Sequence, residues 1–196
     1  MSISTVKEYA NPEDAILRRD PDIKAIISRH MYRHFGSHQR SFEFIELAQH
    51  MEPKQFWTIL HDQWSSFDAI DHFVMEQVIS GFSEEWSADY LNEEDRAFYD
   101  SLPDMVTVYR GQGATQYTGL SWTTDYEVAK AFALGHRRHN PADPVIIKAN
   151  VAKCDIAGAY ANREESEIIV FTPSNLEIIG REAITPRTVS SFERDH

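Results

Sequence analysis

The sequence predicts an α+β protein in which a helical half precedes a strand-rich half, and three observations carry that expectation. Apolar residues recur at three- and four-residue spacing through most of the first hundred positions. After Pro103 the texture changes to short Ile- and Val-rich segments, some alternating with polar residues. The charge divides at the same place: residues 1–100 hold 9 Lys and Arg against 19 Asp and Glu, whereas residues 101–196 hold 10 against 12. We therefore divide the chain into a helical region, 1–101, and a mixed, strand-rich region, 102–196. The seam is either a domain boundary or the junction between the helical layer and the sheet of one domain.

Taken in order, Ile16, Ile23, Ile26, Ile27, Met31 and Phe35 mark an apolar stripe that Pro21 breaks into two helices. SFEFIELAQHM, PKQFWTILHDQW and AIDHFVMEQVISGF continue in the same style, with Ser41, Pro53 and Asp68 as starts. Their aromatic residues, Phe42 and Phe73 included, fall at helical spacing and are expected in the core. NEEDRAFYDSL closes the series with acid in its first turn, where the helix dipole favours it. In the second half MVTVYRG is a strand stopped by Gly111. DYEVAKAFALGHRRH is a helix capped by Asp125 with basic residues in its last turn, and PVIIKANV, SEIIVF and LEIIGREAI are three further strands.

Composition removes several classes of function. No window approaches 18 consecutive apolar residues, and the N-terminus lacks both a basic and an apolar leader region, so the expectation is a cytoplasmic protein with no membrane partner. A single cysteine, Cys154, excludes an internal disulfide and a multi-cysteine zinc site. His30 and His34 have metal-ligand spacing, but no HExxH glutamate accompanies them, and no metal is expected. The net charge of −12 argues against a nucleic-acid partner; RHMYRHFGSHQR is either a solvated basic face or, with Arg137 and Arg138, an anion-binding patch that could guide a nucleic-acid acceptor. GQGATQ lacks the third glycine of a dinucleotide fingerprint.

Three stretches carry chemistry. VYRG ends a strand with a permanent cation suited to phosphate or carboxylate, followed by a residue that lets a ligand approach the backbone. GLSWTTD sets Ser121 and Thr123 on one face of an extended segment just before a helix cap. REESEIIV places Glu165 and Glu167 on one face of a strand, roughly 6.5 to 7 Å apart, with Glu164 on the other. Like charges so close cost stability unless a cation or a ligand uses them, or unless they guard an edge strand against aggregation.

An aromatic-Arg-Gly strand end, a Ser-x-Thr turn and a Glu-x-Glu strand entrance, in that order, resemble the Arg-Ser-Glu class of mono-ADP-ribosyltransferases over residues 105–185. LPDMVTVYRG…GLSWTTD…AKAFALGHR looks like uncharacterised bacterial and phage members of that superfamily. The resemblance implies a split β-sandwich over 102–196 and NAD+ as co-substrate without a metal. It implies that Arg110 holds the NAD+ phosphates, that Gly111 offers backbone groups to the nicotinamide, and that Ser121 orients the catalytic Glu167. Thr123 supports the site and Glu165 faces the acceptor. Here Trp122 stands where the family more often has a small residue, and it either lines the nicotinamide pocket or packs in the core. The implied activity is transfer of ADP-ribose to a macromolecule, a protein side chain with arginine first, or RNA or DNA. NAD+ hydrolysis and a non-enzymatic interaction protein of the same fold are the alternatives. The implied setting is a toxin, an antiphage effector or a phage modifier, with an antitoxin or inhibitor protein as a further partner.

Overall fold

In a computed structural model, which describes residues 11–116, 118–135, 141–161, 165–171, 173 and 175–180, the chain divides into two compact units. One runs to Ser101 and takes in Ala157–Ala159; the other begins at Leu102 and holds the remainder. Among the described residues the first is mainly helical and the second is built on an antiparallel sheet, so the protein is α+β.

The helical unit contains α1 (Pro12–Leu17), α2 (Ile23–His34), α3 (Arg40–Ala48), α4 (Pro53–Gln63), α5 (His72–Gly81) and α6 (Glu93–Ser101). Pro21 falls between α1 and α2, where its missing N–H breaks no helical bond. α4 opens at Pro53 behind a capping box formed by Glu52 and Gln55. Two starts differ from expectation. Ser41 lies inside α3 and is fully buried, its hydroxyl donating to the Ala69 carbonyl at 2.5 Å. α5 is capped by Asp71 in place of Asp68, because the Asp71 side chain accepts from the Val74 N–H.

Phe44, Phe56 and Trp57 are buried in this unit, and Phe56 stacks on Phe82 with ring centroids 4.0 Å apart. The Trp57 indole keeps its polar end satisfied by donating to the Phe82 carbonyl at 3.0 Å. Phe42 and Phe73, expected in the core from their spacing, are exposed instead. His61 sits between the rings of Trp57 and Trp86, and burial, aided by the charge of Lys24, pushes its pKa down to about 3.

The second unit contains β1 (Met105–Gly113), β2 (Ser121–Thr123), α7 (Tyr126–Ala133), β3 (Pro144–Ala152), β5 (Glu167–Val170) and β6 (Glu177–Ile178), with β4 (Ile156–Tyr160) completing the sheet. The strand order is β4-β5-β2-β1-β3-β6. β1 and β3 pair along their whole length, from Met105 opposite Ala152 to Gly113 opposite Pro144. β4, IAGAY, is not among the expected strands, since its three central residues, Ala157, Gly158 and Ala159, lack the branched or aromatic side chains that mark one. The last expected strand shortens to the two residues of β6, and its portion beyond Gly180 lies outside the described residues. None of the described helices is long and apolar enough to cross a membrane.

Gly111 does not stop β1, which continues to Gly113. A Cβ at Gly111 would stand 1.8 Å from the Ala129 carbonyl oxygen and 2.5 Å from the Ala133 nitrogen. Helix α7 therefore lies directly on the strand, and only glycine permits so close an approach. Ala129 and Ala133 supply the small face of that helix, packed with Ile146, Tyr109 and Tyr126. α7 ends at Ala133 with Lys130 in its last turn; Arg137 and Arg138, expected to close it, lie outside the described residues.

Candidate active site

The three chemistry-bearing stretches of the sequence lie on neighbouring strands β1, β2 and β5. Antiparallel pairing sets Ser121 opposite Ile169, Trp122 opposite Ile168 and Thr123 opposite Glu167. Direct partners share a face, so Ser121 and Thr123 stand on the same side as Glu167. The Ser121 hydroxyl donates to Glu167 Oε1 at 2.6 Å, a length typical of a hydroxyl bonded to a carboxylate. Thr123 Oγ1 donates to the Glu165 carbonyl at 2.5 Å and accepts from the Asp125 N–H at 3.0 Å. The Thr124 N–H donates to the Ser166 carbonyl at 3.2 Å. The 121–124 stretch thus anchors 165–167 at three successive points.

Those anchors correct the expected geometry of the Glu-x-Glu element. β5 begins only at Glu167, and Ser166 just before it has φ of 43°, in the left-handed region. A serine there costs about 1–2 kcal/mol, which the bonds from Thr123 and Thr124 offset. The turn cancels the alternation of an extended chain, so Glu165 is not placed beside Glu167 by strand periodicity. Both carboxylates belong to half-buried residues. Glu164, expected on the opposite face, lies outside the described residues.

Arg110 is positioned by β1. Tyr109 pairs with Thr123, so alternation starts the Arg110 side chain on the face away from Glu167. Its length brings the guanidinium back to the strand boundary, where Nη1 donates to the Ser121 carbonyl at 2.5 Å and Nε donates to Gln112 Oε1 at 2.8 Å. Burial lowers its pKa to about 10, and the nearby charge of Glu167 acts in the opposite direction. The group still carries its charge at neutral pH. The two bonds occupy two of its five N–H donors.

Gln112 is the residue that sequence reasoning missed. It is buried, accepts from Arg110, and donates through Nε2 to the Gln116 carbonyl at 2.9 Å. Gln116 returns the contact, its Oε1 accepting from the Gly113 N–H at 2.8 Å. The pair closes the turn after β1 and holds the arginine from behind. The available signal was the two-residue spacing of Arg110 and Gln112 in a strand, which puts them on one face.

Two residues expected to meet the ligand also have a packing role. Gly111 has its Cα covered by α7, which gives glycine a packing reason there. Trp122 is 2% exposed and belongs to the core, so the core alternative holds over the pocket-lining one; its indole nitrogen has no hydrogen-bond partner among the described residues. Among the described residues no group of three or more His, Cys, Asp or Glu is placed to hold a metal ion. Comparison with known proteins adds no relative: no family model, no curated protein and no solved structure matches the chain.

Proposed function

We propose that the protein takes NAD+ as co-substrate and transfers ADP-ribose to a macromolecular acceptor, with Glu167 as the catalytic carboxylate. The observation that supports this most is the 2.6 Å bond from Ser121 to Glu167, beside a half-buried arginine that feels the same charge. A carboxylate held still by a hydroxyl suits a glycosidic bond that breaks with positive charge on the sugar. Nicotinamide leaves with the bonding electron pair as a neutral ring, and C1′ of the ribose becomes oxocarbenium-like. Glu167, beside the 2′-hydroxyl, stabilises that charge, an effect worth roughly 3 to 4 kcal/mol in a preorganised site. The acceptor's lone pair then forms the new bond at C1′, and Glu165 takes its proton.

Arg110 has three N–H donors beyond those given to Gln112 and Ser121, and these suit the diphosphate. Thr123 holds the Glu165 backbone, and Gln112 holds Arg110. A protein side chain, arginine first, is the acceptor that the Glu-x-Glu element favours, with RNA or DNA as the alternative. A cytoplasmic toxin or antiphage effector is the setting in which such an activity makes sense.

The test is nicotinamide release by purified protein, together with labelled NAD+ in a cell lysate. Glu167→Gln is expected to abolish turnover and leave the melting temperature unchanged. Separate protease and RNase digestion of the labelled product identifies the acceptor. Nicotinamide release without macromolecular label would make the protein a glycohydrolase. No turnover and no label, with Glu167→Ala binding NAD+ as wild type does, would sink the assignment. A ligand at 100 times its Kd stabilises by about 2.7 kcal/mol, so absence of a thermal shift at millimolar NAD+ would favour a non-enzymatic interaction protein.

A further inference from the structure

The helical unit carries a second site that the transferase reading does not use. Residues 23–42 contain no Asp or Glu, although residues 1–100 hold about twice as many acidic as basic side chains. Within that stretch Ile26, Arg29, His30, Arg33 and His34 fall at helical positions i, i+3, i+4, i+7 and i+8, which is a single stripe of α2. Such a stripe ordinarily carries apolar residues toward a core. Here it lines an open cleft of about 170 Å³, completed by Asn11 and Pro12.

Three other cations of the unit are paired with carboxylates. Arg19 pairs with Glu52, Lys24 with Asp62 at 3.3 Å, and Arg96 with Asp89 and Asp100. No ion pair among the described residues joins Arg33 to a carboxylate, and Arg33 is exposed. His30 donates to Glu43 Oε1 at 2.7 Å, which fixes its ring, and its centroid lies 5.4 Å from that of His34. Tyr32, on the same helix, is 59% exposed, and the Arg40 guanidinium lies over its ring at 4.0 Å.

We infer that this stripe binds the phosphate backbone of a single-stranded nucleic acid. A cleft of this volume is smaller than the roughly 300 Å³ at which pockets begin to enclose a small molecule, so it suits phosphate groups of a chain that runs on across the surface. Arg29 and Arg33 stand one turn apart, about 6 Å along the helix, and can take two phosphates. The exposed Tyr32 ring, held by Arg40, offers a stacking platform of the kind single strands use. The surrounding acid repels a long polyanion, which keeps the footprint short and the binding salt-sensitive.

Fluorescence anisotropy with a labelled oligouridylate of about 20 nucleotides, titrated with intact protein near 50 mM salt, tests this. Arg29→Gln/Arg33→Gln is expected to weaken binding at least tenfold and to flatten the log K against log salt slope by about 1.4, since each lost phosphate contact removes about 0.7. Lys54→Glu changes the net charge by the same amount away from the stripe and is expected to stay within about twofold of wild type. Circular dichroism checks that the double variant keeps its helices. Absence of wild-type binding, an equal loss in Lys54→Glu, or an unchanged double variant would each overturn the inference. So would displacement of the oligonucleotide by a phosphoserine peptide at lower concentration than by unlabelled oligouridylate. Because the readout is binding and not turnover, failure here leaves the transferase reading untouched, and Glu167→Gln should bind the oligonucleotide as wild type does.

Discussion

Replacing Ser121 by alanine removes one hydroxyl that donates to Glu167 at 2.6 Å and changes little else. The backbone pairing of Ser121 with Ile169 remains, as does its carbonyl, which receives Arg110. A hydrogen bond to a charged group is worth about 1.5 to 3 kcal/mol. If that energy holds Glu167 in the orientation the transition state needs, its loss lowers kcat by roughly 10- to 150-fold. KM for NAD+ should change little, because the Ser121 contact to the diphosphate clamp runs through its carbonyl, which alanine keeps. Steady-state nicotinamide release, with melting temperature as a folding control, measures both. Wild-type kcat in Ser121→Ala would refute the reasoning, as would an equal loss in the exposed control Ser101→Ala.

Gly111→Ala should destabilise by about 3 kcal/mol or more in denaturant titration, because its Cβ would overlap the α7 backbone at 1.8 Å, whereas Gly81→Ala meets nothing within 4 Å and should gain about 0.5 to 1 kcal/mol. Arg110→Lys should raise KM for NAD+ at least tenfold with less effect on kcat, and Gln112→Ala should do the same more weakly, since the guanidinium then loses the acceptor at Nε. His61 takes up a proton near pH 6.5 when unfolded but only near 3 when folded, so it costs nothing above pH 6.5, and stability falls by about 1.4 kcal/mol per unit as pH drops from 6.5 toward 3. His61→Phe should flatten that part of the stability profile, and an unchanged acid limb would show that His61 is not its source.

Local patterns in the sequence carried much of the architecture. Helical spacing separated the first hundred residues from the rest, and the chain's units divide between Ser101 and Leu102. Pro53 started a helix because its missing N–H breaks no bond there. Where two elements meet, sequence had nothing to read. IAGAY is a strand although Ala157, Gly158 and Ala159 carry no strand signal of their own. Phe42 and Phe73 have the spacing of core residues yet lie exposed, since periodicity marks a stripe without saying what covers it. The glycine of VYRG looked like a strand stop, and instead the strand runs through it with a helix lying on it. The largest difference is at Glu165 and Glu167: alternation set their relation in the sequence, whereas the chain turns at the left-handed Ser166 and is extended only from Glu167. The three residue types of the candidate site were legible in the sequence. Their arrangement was decided by the tertiary structure, because the hydroxyls that hold the turn at Ser166 come from a strand more than forty positions away.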